Sequence, residues 1–198
     1  MINLYQTKLE QHYARSLTEI KATGKAPKDV VGQSYEQFRA EIVTHFPHLD
    51  VATPEERKEL DLRFGGNYKA DQYIVCRKTR KVIALEEDKG HYVDKCFAKR
   101  ALFNAAEVFH HCLSNHLEPP YFILSCPTHH DIGGLLEDKN GFFNEEIYNL
   151  LVDRFKFFPL CSHGRTSRQT YLKSPTMPFR LDKDHVQKEM DFFQDLSP

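Results

Sequence analysis

The chain reads as an α/β domain, a small mixed β-sheet with helices on both faces. Three observations lead there. Tyr73-Ile74-Val75 and Val82-Ile83-Ala84-Leu85 stand on either side of a basic turn, Arg77 to Lys81. Two runs of β-formers around a turn are the pattern of a hairpin. A long helical stretch then separates this hairpin from a third apolar run, Tyr121 to Cys126. A strand reached through a helix lies parallel to the strand before it, by a right-handed crossover. Helical periodicity before and after these strands supplies the layers that cover the sheet.

Leu4, Leu9, Tyr13, Leu17 and Ile20 predict a helix over 3–21, ended by Gly24-Lys25-Ala26-Pro27. Ser34 is placed to cap a second helix, with Tyr35, Phe38, Ile42 and Phe46 on one face and Pro47 closing it. Thr53-Pro54-Glu55-Glu56 has a helix start's composition, and that helix ends near Leu62. Gly65-Gly66-Asn67 is a turn into the strand that opens at Asp71. After Gly90, Asp94 caps a helix reaching about His116, stopped by Pro119-Pro120. Its apolar stripe includes Phe97, Ala101, Leu102, Ala105, Val108, Phe109 and Cys112. Asn144 caps a helix over 144–157, with Phe155 inward, and a last amphipathic helix spans Asp182 to Phe193.

At 198 residues the chain fits one domain, 1–198, with its core at about 34–160. The formal net charge of −1 excludes a global basic field. Binding to a polyanion must therefore rest on local patches. Two such patches are the basic turn, Arg77 to Lys81, and Ser162 to Gln169, where Arg165 and Arg168 stand among hydroxyls that suit phosphate contacts. The five cysteines form no Cys-x-x-Cys pair and read as reduced thiols of an intracellular protein, cytoplasmic or nuclear. We expect neither a membrane span nor a signal peptide.

The second strand of the hairpin closes on Glu86-Glu87-Asp88-Lys89. Residues two apart on a strand share a face, so Glu87 and Lys89 point the same way. Antiparallel pairing brings Asp71 opposite them. Two carboxylates and an ammonium then meet at one end of a sheet.

An acid opening one strand and Glu-x-Lys closing the next resembles the PD-(D/E)XK nuclease superfamily, over residues of about 60–126. Ala70 stands where the name has proline. The resemblance implies a restriction-endonuclease-like fold and metal-dependent hydrolysis of phosphodiester bonds in nucleic acid, DNA first, with an endonuclease ahead of an exonuclease. It implies Mg²⁺, or Mn²⁺ as substitute, held by Asp71, Glu87 and the backbone carbonyl of Asp88, oxygen donors that suit a hard cation. Lys89 would orient the attacking water and stabilise developing charge, making Asp71, Glu87 and Lys89 the catalytic set. Members often add an acid from an early helix, for which Glu36 and Glu41 are candidates. They often add a polar residue from the next helix, for which Asn104 and Lys99 are candidates. A homodimer is left open. Two rival readings are a catalytically inactive interaction domain on the same fold, and a metal hydrolase built on His129, His130, Asp131 and the cluster His110, His111 and His116.

Overall fold

The computed structural model describes residues 2–25, 27–65, 68–90, 92–129, 142–161 and 181–196. In chain order the elements are α1 (Ile2–Thr23), α2 (Pro27–Thr44), β1 (Leu49–Val51) and α3 (Pro54–Leu60), followed by a short π-helical turn, Asp61–Gly65. Next come β2 (Gln72–Cys76), β3 (Val82–Asp88), β4 (Tyr92–Val93), α4 (Lys95–Ser114), β5 (Tyr121–Cys126) and β6 (Thr128–His129). The chain continues with α5 (Glu145–Arg154), β7 (Phe155–Pro159) and α6 (Lys183–Asp195).

Five strands form a mixed sheet in the order β1-β2-β3-β5-β7. The β1/β2 and β2/β3 pairs are antiparallel, and the β3/β5 and β5/β7 pairs are parallel. Strands β4 and β6 form a separate parallel pair. Strand alternation decides which helices cover which face. Tyr73, Val75, Leu85, Phe122 and Leu124 face Ala98, Ala101, Ala105 and Phe109 of α4 and Leu151 of α5. The alanines of α4 let the helix lie close to the strands. Ile74, Ala84 and Ile123 face the other way, towards Tyr5 of α1, Phe38 and Ile42 of α2, and Val186 and Phe193 of α6. Helices thus cover both faces of the sheet.

One irregularity sets the phase of β3. Ile74 pairs with Ala84 but Val75 pairs with Val82, so Ile83 is the extra residue of a β-bulge. Ile83 and Ala84 both pack on the α2 side as a result. From Ala84 onward the alternation is regular. Glu86 and Asp88 follow Ala84, whereas Glu87 and Lys89 follow Leu85 towards α4.

Several local expectations hold for a visible reason. Thr53 and Glu56 form a reciprocal capping box at α3, Asp94 caps α4, and Asn144 caps α5. Three differ. Helix α2 begins at Pro27 rather than at Ser34, because proline at a helix start lacks only an N–H that has no helical partner there. Ser34 lies inside the helix, and its hydroxyl donates to the His12 carbonyl of α1 at 2.9 Å. Strands β1, β4 and β6 were not expected. Residues 155–157 end no helix; they open β7, which pairs with β5 from Phe122↔Phe155 to Cys126↔Pro159. Phe155 and Phe157 lie on the α4 side and Phe158 on the α6 side, an alternation that fits a strand.

Candidate active site

The hairpin register brings the two acids together. Gln72 pairs with Glu86, so one step further along antiparallel strands sets Asp71 beside Glu87. The backbone N–H of Asp88 donates to Asp71 Oδ2 at 2.7 Å, which ties the open end of β2 to β3. Glu87 Oε2 accepts from the Tyr68 hydroxyl at 2.5 Å. Lys89 follows on the same face, its Nζ 4.2 Å from the centre of the Phe97 ring at the start of α4. Its backbone N–H donates to the Ser125 carbonyl at 2.9 Å and extends the parallel ladder past β3. Gly90 lets the chain leave: a Cβ there would lie 2.6 Å from the Val31 carbonyl oxygen of α2.

A third acid joins from α2. The Gln72 side-chain amide donates to the Glu36 carbonyl at 2.8 Å, and the Glu36 carboxyl feels the charges of both Asp71 and Glu87. Burial raises its pKa, Asp71 raises it further, Arg57 opposes, and Glu87 adds to the rise. Burial also raises Asp71, against the N–H of Asp88 and the charges of Arg57 and Lys89. Glu87 is raised by burial, lowered by the Tyr68 hydrogen bond, raised by Asp71, and lowered by Lys89 and Arg100. Three half-buried carboxyls thus share a corner where ionisation is penalised, with Lys89, Arg57 and Arg100 as the cations acting on them. Glu41 is elsewhere, paired with Lys8 at 2.6 Å and close to His12 at 3.2 Å.

The opposite face of the same strand end is different. Arg39 of α2 donates to Glu86 Oε1 through Nε at 2.8 Å and Nη2 at 2.6 Å. It also pairs with Glu189 of α6, and its Nε lies 3.8 Å from Asp88 Oδ1. Asp88 Oδ2 accepts from Gln72 at 2.6 Å. These four charged side chains are fully buried. The carboxylate of Asp88 therefore belongs to this internal cluster. Only its backbone lies with Asp71 and Glu87.

Other expected site residues separate from the acids. Asn104 lies on the Phe97 and Arg100 edge of α4, but no described contact joins it to them; Arg100, one turn earlier, acts on Glu87. Lys99 is exposed. Arg165 and Arg168 lie outside the described residues. The basic turn does not serve the site, because a hairpin's turn and its open end are at opposite ends of the strands. Arg80 there pairs with Asp50 and Glu56, both at 2.6 Å, Lys81 pairs with Glu118 at 2.9 Å, and Arg77 donates to the Thr44 carbonyl at 2.8 Å. His129 packs edge-on against Phe157, and His111 meets the Arg63 carbonyl at the far end of α4. His130 and Asp131 lie outside the described residues.

Among the described residues, no group of three or more His, Cys, Asp and Glu is arranged to hold a metal ion by itself. Asp71 and Glu87 remain as a two-carboxylate donor set. Only one oxygen of each is engaged by a hydrogen bond described above, and a cation would relieve the repulsion between them. Mg²⁺ commonly takes only one or two carboxylates and keeps several waters, so the chemistry of the pair fits such an ion. No family model, no curated protein and no solved structure matches the chain. Among the described residues, no helix is long and apolar enough to cross a membrane.

Tyr68, Arg57, Arg100 and Arg39 were not anticipated. Arg39 carried a signal: it falls between Tyr35 and Ile42 on the apolar stripe of α2, and a charge there needs a buried partner. Tyr68 and Arg57 carried none, since their roles depend on how the segment before β2 lies across the sheet end.

Proposed function

We propose that this chain is a metal-dependent nuclease, restriction-endonuclease-like in fold, that hydrolyses phosphodiester bonds of nucleic acid, DNA in the first place. The observation that carries this reading is the convergence of Asp71, Glu87 and Lys89 at one end of the sheet, with Glu36 beside them. Asp71 and Glu87 would hold the ion. When bound, it supplies Lewis-acid polarisation of the phosphate and a water of lowered pKa. Tyr68 fixes the rotamer of Glu87 by its hydrogen bond. The Asp88 N–H fixes Asp71 in the same way. Lys89 offers an ammonium to the attacking water and to charge developing on phosphate. Glu36, whose pKa burial raises, is suited to take up the proton that the water loses. The exposed Arg100 on the first turns of α4 acts on Glu87 and, with Lys89 and Arg57, gives the acids local positive charge despite the net charge of −1. Four of the five free thiols are buried, which fits a reducing, intracellular setting.

The test is a cleavage assay on plasmid, linear duplex, single-stranded DNA and RNA, with Mg²⁺ or Mn²⁺ and with chelator. The wild type is expected to cut only with metal. Lys89→Ala is expected to fold with an unchanged metal-free melting temperature and to cut about 100-fold more slowly or worse, the scale of a lost acid–base group. Absence of metal-dependent cleavage on every substrate would favour an inactive interaction domain.

A further inference from the structure

The surface beside Lys89 alternates cations with rings. The Lys89 ammonium lies over Phe97, and the Arg100 guanidinium lies 4.8 Å from the centre of the same ring. The next turn of α4 brings Phe103, which meets Phe142 and Phe143 at ring-centre separations of 6.4 and 5.2 Å. Phe103 is 47% exposed and Phe142 is 71% exposed. The core does not use Phe103: the buried side of α4 is formed by Ala98, Ala101, Leu102 and Ala105. Scattered exposed hydrophobes need no explanation. These two touch each other, and Arg100, which lies over Phe97 and acts on Glu87, stands one helical turn before Phe103.

Alternating rings and cations match one kind of polyanion. An unpaired strand offers a flat base face and a phosphate at every nucleotide, and stacking on aromatic side chains is tolerant of sequence. A duplex hides its base faces and would meet only the cations. An apolar peptide would use the rings and leave Lys89 and Arg100 without a role. We infer that the path from Lys89 through Phe97 and Arg100 to Phe103 and Phe142 is a binding track for single-stranded nucleic acid. The substrate class is then an unpaired strand or the unpaired end of a duplex. This rests on the reading that the acid end acts on nucleic acid, but binding tests it apart from cleavage.

The experiment measures anisotropy of a labelled oligothymidine and of a duplex of equal length, in chelator so that nothing is cut. The wild type is expected to hold the single strand more tightly than the duplex. Phe103→Leu with Phe142→Leu keeps the apolar area and removes the stacking faces. It is expected to weaken single-strand binding about 10-fold or more, the scale of one or two lost base stacks, and to leave duplex binding unchanged. Phe103→Tyr with Phe142→Tyr is expected to bind as wild type. Should the leucine pair melt early, Phe142→Leu alone, at the more exposed ring, gives the same readout. Equal or tighter binding of duplex, or wild-type binding by the leucine pair, overturns the track. Binding on the track without metal-dependent cleavage of anything sinks the nuclease and leaves the track. Cleavage that the leucine pair binds and performs like wild type sinks the track and leaves the nuclease.

Discussion

Glu86 and Asp88 point to one side of β3, and Glu87 and Lys89 to the other. The four are consecutive in sequence and differ in almost every physical respect. On the α2 side one guanidinium stands among three carboxyls, all fully buried under α2 and α6. On the α4 side the carboxyls of Asp71 and Glu87 are half-buried and hydrogen-bonded through one described oxygen each, and their cations stand at the rim. The buried cluster joins α2 and α6 to the sheet. The open one leaves carboxylate oxygens for something from outside. The difference teaches that the strand's period of two, with its phase set by the bulge at Ile83, divides one acidic run into a buried half and an open half.

The largest expected effect breaks the buried half. Arg39→Met removes the central cation and leaves Glu86, Asp88 and Glu189 sealed without it. Taking away one partner of a buried ionic group costs about 3–5 kcal/mol, so this variant is expected to melt far below wild type or to be unfolded at ambient temperature. Lys89→Ala on the open side is expected to melt like wild type. Equal melting losses in a denaturation series would erase the distinction between the two halves.

A smaller effect sharpens it through pH. Burial raises Glu86 from the ordinary 4.5 to about 7; Arg39 opposes this and Glu189 adds to it. Between those values the folded state binds more protons than the unfolded chain, so stability falls as pH rises through this window. Glu86→Gln, which cannot titrate, is expected to flatten that fall. Melting temperatures across the window check it; a wild-type curve that rises with pH, or a variant that keeps the wild-type slope, would contradict the account.

How much of this was legible follows from how local each signal is. Asp71, Glu87 and Lys89 could be brought together on paper because hairpin pairing and a two-residue period need no tertiary information. The five strands were not all legible. Leu49–Val51 is three residues long, and Phe155 to Pro159 follows a helix without a turn, so its aromatics continued the helical count. The choice between Glu36 and Glu41 was out of reach. Both sit on α2, and only its packing against α1, where Lys8 and His12 take Glu41, leaves Glu36 for the sheet end. The basic turn has the charge a polyanion needs but lies at the other end of the hairpin from the acids, and its Arg77, Arg80 and Lys81 are engaged locally. Arg80, held at a positive φ of 57°, braces β1 and α3 rather than meeting a ligand.

The central claim is that Asp71 and Glu87 form a cation site built at some cost to the apo fold. The most direct measurement is the melting temperature of wild type and Asp71→Asn, at mildly alkaline pH, without metal and over a Mn²⁺ titration. Asparagine keeps an oxygen to accept the Asp88 N–H while removing the charge that burial penalises. The account predicts that the wild type gains melting temperature with Mn²⁺, as any ligand of the folded state alone requires. It predicts that Asp71→Asn melts higher than wild type without metal and does not respond to Mn²⁺. A wild type indifferent to Mn²⁺, or an Asp71→Asn variant that responds as strongly as wild type, would contradict it.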